Sequence, residues 1–126
     1  MKALKLFVVL ITMSRALPVL AQVDPEILKQ AEQGHAESQF YLGWMYYEGE
    51  EVPQDYTKAI HWYQKAAEQG FAYSQTELGF IYAYGQGVPQ DYTKAFQWFQ
   101  KATEQGNTYS QFELMVQPLQ KAVGQV

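Results

Sequence analysis

Hydrophobic and polar positions follow a helical period over residues 36–47, whose sequence AESQFYLGWMYY contains no proline. Ala36, Gln39, Gly43 and Tyr46 fall three or four residues apart, which places them on one face of a helix. The pattern predicts a helix here, with this face directed toward the core.

A second helix is predicted after a short break. Gly49 and Pro53 interrupt the periodic segment, and Asp55 follows them. An aspartate at this place can cap a helix, because its carboxylate accepts hydrogen bonds from the unpaired amides of the first turn. The helix is predicted to run to about residue 69, where Gly70 can adopt the left-handed conformation that ends it.

This pair of predicted helices occurs twice in the chain. Residues 34–69 and 70–105 align without a gap, and 22 of the 36 positions are identical. Self-similarity at this period is the sequence signature of stacked repeats. One helical hairpin cannot bury its own apolar face, so each unit packs on the next. The sequence therefore predicts an all-α solenoid of antiparallel helix hairpins, with repeat 1 at 34–69 and repeat 2 at 70–105.

Both flanks of the two repeats carry partial copies. Residues 22–33 predict an N-terminal capping helix, with Asp24 as its cap and Pro25 in its first turn, similar to a second helix without its first. Residues 106–126 begin with GNTYSQFEL, a third copy of the first-helix spacing, but Met115 stands where glycine is expected. This degenerate or truncated third repeat has three interpretations: a repeat with its loop deleted, an ordinary capping helix, or a gene remnant.

Residues 1–21 have the order of a secretory signal peptide. Lys2 and Lys5 precede an apolar run, and small or apolar residues lead to a cleavage position after Ala21. The apolar run is too short to span a bilayer, so no membrane span is expected once the signal is removed. Arg15 within the segment supports the alternative, an amphipathic first helix. The favoured prediction is an exported protein, periplasmic or secreted.

Composition and charge narrow the functional classes. The 126 residues are 48% hydrophobic and contain no cysteine, so a packed core without disulfides or thiolate sites is expected. After residue 21 the chain has six lysines, no arginine and 13 acidic residues, a net charge of −7. Nucleic-acid binding requires clustered cations and is therefore not expected. An acidic surface favours a protein or peptide partner that carries basic residues.

The repeated segments resemble a known family. LGWMYYEGEEVPQDYTKAIHWYQKAAEQG and LGFIYAYGQGVPQDYTKAFQWFQKATEQG are similar to Sel-one-like repeats (SLR), which are related to the tetratricopeptide repeat. The resemblance covers about residues 34–114, with departures at Glu51, Thr103 and Met115. It implies a right-handed helical solenoid that scaffolds protein–protein contacts, often in the periplasm or outside bacterial cells.

The residues that could carry chemistry do not form a catalytic set. His35 and His61 are the only histidines, and neither has acidic neighbours at ligand spacing, so each is predicted to lie at the surface or in packing. Ser38 recurs as Ser74 and Ser110, which indicates helix packing, because a nucleophile is needed only once, beside a base. The prediction is no enzyme, no cofactor and no metal. An outside alternative is the penicillin-binding or β-lactamase-like activity of some cysteine-rich SLR relatives.

Residues that differ between the repeats indicate a binding surface. We name as the first-helix stripe the outward residues of the first helices, which are Glu37, Tyr41, Trp44, Glu48, Tyr73, Glu77, Phe80, Tyr84, Tyr109 and Glu113. In tetratricopeptide-like solenoids the first helices line the concave surface. Aromatic rings beside carboxylates suit an extended peptide with lysine or arginine.

Two other interpretations of the stripe stay open at this point. Trp44 and Phe80 could pack between neighbouring first helices, and the glutamates and tyrosines could form an ordinary solvated face. The alternative function is a structural module that stacks end to end with itself or with another protein. The partial repeats at both flanks favour this self-association.

Overall fold

Five α-helices follow one another along the part of the chain that the computed structural model describes, residues 23–106 and 124. They are α1 (Pro25–Glu32), α2 (Ala36–Glu48), α3 (Tyr56–Glu68), α4 (Ala72–Tyr84) and α5 (Tyr92–Glu104). No strand occurs among these residues. Helices α2 and α3 pack together as one hairpin and α4 and α5 as the next, while α3 packs on α4 and α1 on α2. The predicted all-α solenoid of hairpins is confirmed.

The predicted caps fix where the helices begin and end. Asp55 Oδ1 accepts a hydrogen bond from the Lys58 amide at 3.1 Å, and Asp91 Oδ1 accepts one from the Lys94 amide at 3.0 Å. Gly70 has a φ of +87°, the left-handed conformation expected at the end of α3. Because these signals act within one helical turn, the predicted ends of the helices agree with the observed ends to within about one residue.

The core extends along two sides of each first helix. Gln39 and Gly43 are buried as predicted, but Leu42 and Met45 are also almost fully buried and were not predicted. Leu42 and Met45 pack with Ala31 of α1, whereas Gly43 faces α3. A helix covered from two directions buries a wider stripe than the spacing of one face indicates.

A buried glutamine ties each first helix to the second helix before it. Gln39 Nε2 donates a hydrogen bond to the Ala31 carbonyl at 3.0 Å, and Gln75 Nε2 donates to the Ala67 carbonyl at the same distance. Because a buried amide requires partners, this bond fixes how successive units stack. The stacking in turn sets where the outward side chains of α2 and α4 lie.

Gly43 and Gly79 lie in the middle of the first helices, where glycine costs about 1 kcal/mol relative to alanine. From the sequence, this cost predicts that another backbone passes close to each glycine. The structure places a side-chain ring there instead, that of Tyr63 against Gly43 and that of Phe99 against Gly79. A flat ring needs the space that a Cβ atom would occupy, so the close approach joins a helix to an aromatic side chain and not to a second backbone.

Candidate functional site

The outward faces of α2 and α4 carry eight of the ten residues of the first-helix stripe. Tyr109 and Glu113, the other two, lie outside the described residues. The eight differ in exposure: Glu37, Glu48 and the rings of Tyr41 and Trp44 are accessible on α2, whereas α4 carries both exposed and half-buried members.

Tyr41 and Trp44 form a stacked aromatic pair on α2. Their ring centroids are 5.7 Å apart with an interplanar angle of 26°. Tyr41 is 39% exposed and Trp44 is 37% exposed. Two rings spaced three residues apart on a helix are neighbours, so each restrains the other. The pair therefore forms an aromatic surface that is partly exposed among the described residues.

Phe80 and Tyr84 form a second stacked pair, on α4, where Phe80 corresponds to Trp44 and Tyr84 to Glu48. Their rings are nearly parallel, with an interplanar angle of 4° and centroids 6.2 Å apart. Phe80 is half-buried because its other contact is the ring of Phe99 in α5, at 5.2 Å and edge-on. Tyr84 is 63% exposed, the most accessible of the large hydrophobic residues that the structure describes. Phe80 thus anchors the pair to the core and Tyr84 offers its ring to solvent.

A further aromatic group connects the two first helices. Phe40 of α2 lies 5.5 Å from Phe71 and 6.1 Å from Tyr73, measured between ring centroids, and Phe71 lies 5.8 Å from Tyr73. Tyr73 is half exposed. Phe40 was not predicted as part of the surface, although the repeats differ there, with threonine at position 76. Phe40 therefore brings a ring of α2 into contact with Tyr73, the stripe residue near the start of α4.

The helices that carry the carboxylates of the stripe contain no lysine or arginine. Glu77 is half-buried, and burial raises its pKa, with the charge of Glu48 adding to the effect. Burial also raises the pKa of the Tyr47 hydroxyl, which donates a hydrogen bond to Gln86 Oε1 at 2.8 Å.

Four lysines of the second helices lie over aromatic rings of the chain itself. The pairs, with 4.7–5.3 Å between the ammonium nitrogen and the ring centroid, are Lys58–Tyr46, Lys65–Trp62, Lys94–Tyr82 and Lys101–Trp98. They show that ammonium groups and aromatic rings already pair in this fold. The rings of Tyr41, Trp44 and Tyr84 are not part of these four pairs.

Residues 23–106 and 124 show no arrangement typical of a metal site or of a membrane-spanning helix. No group of three or more histidine, cysteine, aspartate or glutamate side chains suited to a metal ion occurs there. Within the same residues, no helix has the length and apolar character needed to cross a membrane. His61 lies edge-on to Trp62, with 5.3 Å between ring centroids, and His35 precedes α2 without a side-chain capping bond.

The sequence matches the family model described as Sel1 repeat in two tandem copies, residues 36–71 and 72–107. It is also 44% identical over 52 residues to the secretory immunoglobulin A-binding protein EsiB of Escherichia coli O6:H1 (strain CFT073). That match covers 40% of this chain and 11% of EsiB. The chain thus spans about a tenth of the length of the curated relative that it matches.

Two solved structures share the fold. The Sel1 repeat protein from Oxalobacter formigenes superposes with a TM-score of 0.60 and 39% identity, over 63% of this chain and 32% of that one. The protein c5321, described as a protective antigen of uropathogenic Escherichia coli with an SLR fold, gives a TM-score of 0.68 and 38% identity. This second match covers 75% of this chain and 20% of c5321.

Proposed function

This chain belongs to the Sel1 repeat family, and we propose that its first-helix stripe binds an extended segment of a protein partner that carries lysine or arginine. Sel1 repeat proteins are generally non-enzymatic scaffolds for protein interactions. EsiB is named for binding secretory immunoglobulin A, which is itself a protein. We propose for this chain the same class of activity, recognition of a protein without catalysis, cofactor or metal.

The observation that carries the proposal is a stacked, partly exposed ring pair on each first helix, Tyr41–Trp44 on α2 and Phe80–Tyr84 on α4. Rings that are already stacked lose little conformational freedom when a ligand covers them. Such preorganised aromatic residues are the side chains that most often dominate protein interfaces. The Phe40 contact with Tyr73 adds apolar surface where α2 and α4 meet.

The charge of the stripe indicates the chemistry of the partner. Glu37, Glu48 and Glu77 contribute carboxylates, and α2 and α4 contain no cation of their own to neutralise them. A lysine or arginine side chain of the partner would pair with these carboxylates and could also lie over an exposed ring. The same negative charge argues against nucleic acid as a ligand.

We further propose that the protein acts outside the cytoplasm of a bacterium, in the periplasm or secreted. The support is the signal-like order of residues 1–21 and the bacterial sources of the similar proteins.

Selection from a random peptide library tests the proposal and identifies the ligand chemistry in one experiment. The library is displayed and selected on the purified protein, and the enriched peptides are synthesised and titrated by fluorescence anisotropy. We expect lysine and arginine to be enriched, and Trp44→Ala or Tyr84→Ala to weaken binding about tenfold or more. Gln64→Ala, an exposed change on α3, is the matched control and should leave the affinity unchanged. Enrichment of acidic peptides, or equal binding by Trp44→Ala, would contradict the proposal.

A further inference from the structure

Two grooves lie open at the edge of the solenoid that α1 and α2 form. The first has a volume of about 260 Å³ and is lined by Ile27, Glu37, Ser38 and Tyr41, with mostly apolar walls. The second has a volume of about 520 Å³, and its walls include Val23, Tyr46 and Val52.

The place equivalent to the first groove in the next repeat can be identified by adding 36 to the residue numbers. Adding 36 residues converts Ile27 into Tyr63 and Glu37 into Tyr73. Between Tyr63 and Tyr73 lies the ring of Phe40, which comes from the preceding first helix, at 5.7 Å and 6.1 Å from the two rings. In the next repeat, the place equivalent to the first groove is therefore occupied by an aromatic side chain of the preceding first helix.

The second groove also corresponds to a place that is covered one repeat later. In the register of the repeats Val52 corresponds to Val88, which packs against the same buried cluster as Ile60 near the start of α3. Tyr56, the first residue of α3, lies against Gly87. Helix α1 begins at Pro25, five residues later in the register than α3, so no helical turn covers the second groove among the described residues. Both grooves thus belong to one repeat–repeat contact surface.

We propose that a second copy of this chain docks on this edge, head to tail, with its Phe112 in the first groove. Position 112 is two repeats after position 40, so Phe112 holds the register of Phe40 within the third copy of the first-helix sequence, GNTYSQFEL. In the second repeat this place is taken by Thr76, whose hydroxyl bonds to the Ala72 carbonyl of its own helix. The third copy restores the aromatic residue that the first groove, the seat of this contact, accepts.

This contact joins two different surfaces of the same molecule. A heterologous contact of this kind leaves one edge free on each terminal copy, so it builds chains of copies or closed rings and not an isolated pair. It goes beyond the proposed peptide binding and uses mainly other residues, although Glu37 and Tyr41 belong to both surfaces.

Sedimentation velocity over a concentration series tests the contact directly. The full gene is expressed, and the mass of the purified chain records its processing. We expect the wild type to form species larger than a dimer as its concentration rises. Phe112→Ala, which removes the occupant, and Ile27→Lys, which charges the seat, should each weaken association about tenfold or more. Ser38→Trp, which fills the groove from within, replaces Ile27→Lys if that variant does not fold by circular dichroism.

Mixing the two variants distinguishes the head-to-tail contact from other modes. Phe112→Ala retains an intact seat and Ile27→Lys retains Phe112, so we expect the mixture to form a one-to-one dimer that does not grow. Tyr84→Ala is the control: it should reduce peptide affinity without changing self-association, so a failure of one proposal is separable from a failure of the other. A wild type that stays monomeric, an association that survives Phe112→Ala, or a seat blocked by residues 1–22 of the same molecule would each overturn the proposal.

Discussion

Gly43 of α2 lies against the ring of Tyr63 in α3, so closely that a Cβ atom built on the glycine would be 2.5 Å from Tyr63 Cδ1. Gly79 and Phe99 have the same relationship one repeat later, again at 2.5 Å. A glycine within a helix costs about 1 kcal/mol relative to alanine. The fold tolerates this cost because the ring of the second helix can then pack directly on the first helix and close the hairpin.

We expect Gly43→Ala to destabilise the protein, although alanine is the better helix former. The added methyl group would force Tyr63 out of its position, and overpacking of this kind costs about 1–3 kcal/mol. Urea denaturation followed by circular dichroism measures the change. Gln64→Ala, at an exposed site of α3, is the control for the effect of alanine alone. The explanation would be wrong if Gly43→Ala were as stable as the wild type.

A pair of equivalent serines should respond to alanine in opposite directions. Ser38 Oγ donates a hydrogen bond to Gln30 Oε1 at 2.9 Å. Ser74 is buried and its hydroxyl has no hydrogen-bond partner among the described residues, because Ala66 occupies the place that corresponds to Gln30. We expect Ser38→Ala to lose about 1 kcal/mol and Ser74→Ala to be neutral or more stable by up to about 1 kcal/mol. The same denaturation experiment compares them, and a large loss in Ser74→Ala would show that its hydroxyl has a partner.

The loop between the helices of each hairpin contains a second informative pair. Gly87 has a φ of +72°, and a Cβ atom there would lie 2.5 Å from Tyr56 Cβ. Glu51 stands at the equivalent position of the first loop with a φ of +62°, the one non-glycine residue of the described chain with a positive φ. This conformation costs a residue with a side chain about 1–2 kcal/mol. Glu51→Gly should therefore raise the thermal midpoint, whereas Gly87→Ala should lower it; equal effects of the two changes would contradict this account.

Much of the fold follows from local sequence signals. Asp55, Asp91 and Gly70 act within a single helical turn, so their roles can be derived from the neighbouring residues alone. The burial of Leu42 and Met45 could not be derived in this way, because it depends on α1 covering α2 from a second direction. The ring against Gly43 was missed for the same reason: the repeat shows that something approaches the glycine, but not which atom does.

The sequence predicted which residues of the candidate site point outward better than it predicted how deeply each is buried. Comparison of the repeats indicated the outward positions of Trp44 and Tyr84, because residues that differ between equivalent helices are free from the packing that the repeats share. The comparison gave no sign that Glu77 is half-buried, since its burial arises from the packing of α4 within the solenoid. It also omitted Phe40, although the repeats differ at this position, where the second repeat has Thr76.

Export can be tested separately from the fold. If residues 1–21 are a signal peptide, expression of the full gene in a bacterium should yield a periplasmic or secreted product that begins at Gln22. Ala21→Arg should block the cleavage, because the residue before the cut must be small. Mass spectrometry of the purified chain measures the outcome, and an unprocessed cytoplasmic product from the unaltered gene would favour the alternative of an amphipathic first helix.

The half-buried carboxyl of Glu77 should make stability depend on pH. Burial, with the charge of Glu48 adding, raises its pKa above the usual range of a glutamate. The folded state then binds more protons than the unfolded state between the ordinary and the raised pKa. Stability is therefore expected to fall as the pH rises through this window and to change no further from this source above it.

Glu77→Gln, which stays uncharged, should accordingly be more stable than the wild type at pH 7. The difference should vanish below about pH 4, where the carboxyl of the wild type is protonated in both states. Urea denaturation at a series of pH values measures both curves. Glu37→Gln removes an exposed carboxyl from the same stripe and should follow the wild type, so identical curves for the two variants would refute the role of burial at Glu77. A bound basic peptide should reverse the effect, because its cation stabilises the ionised Glu77 that the free protein disfavours.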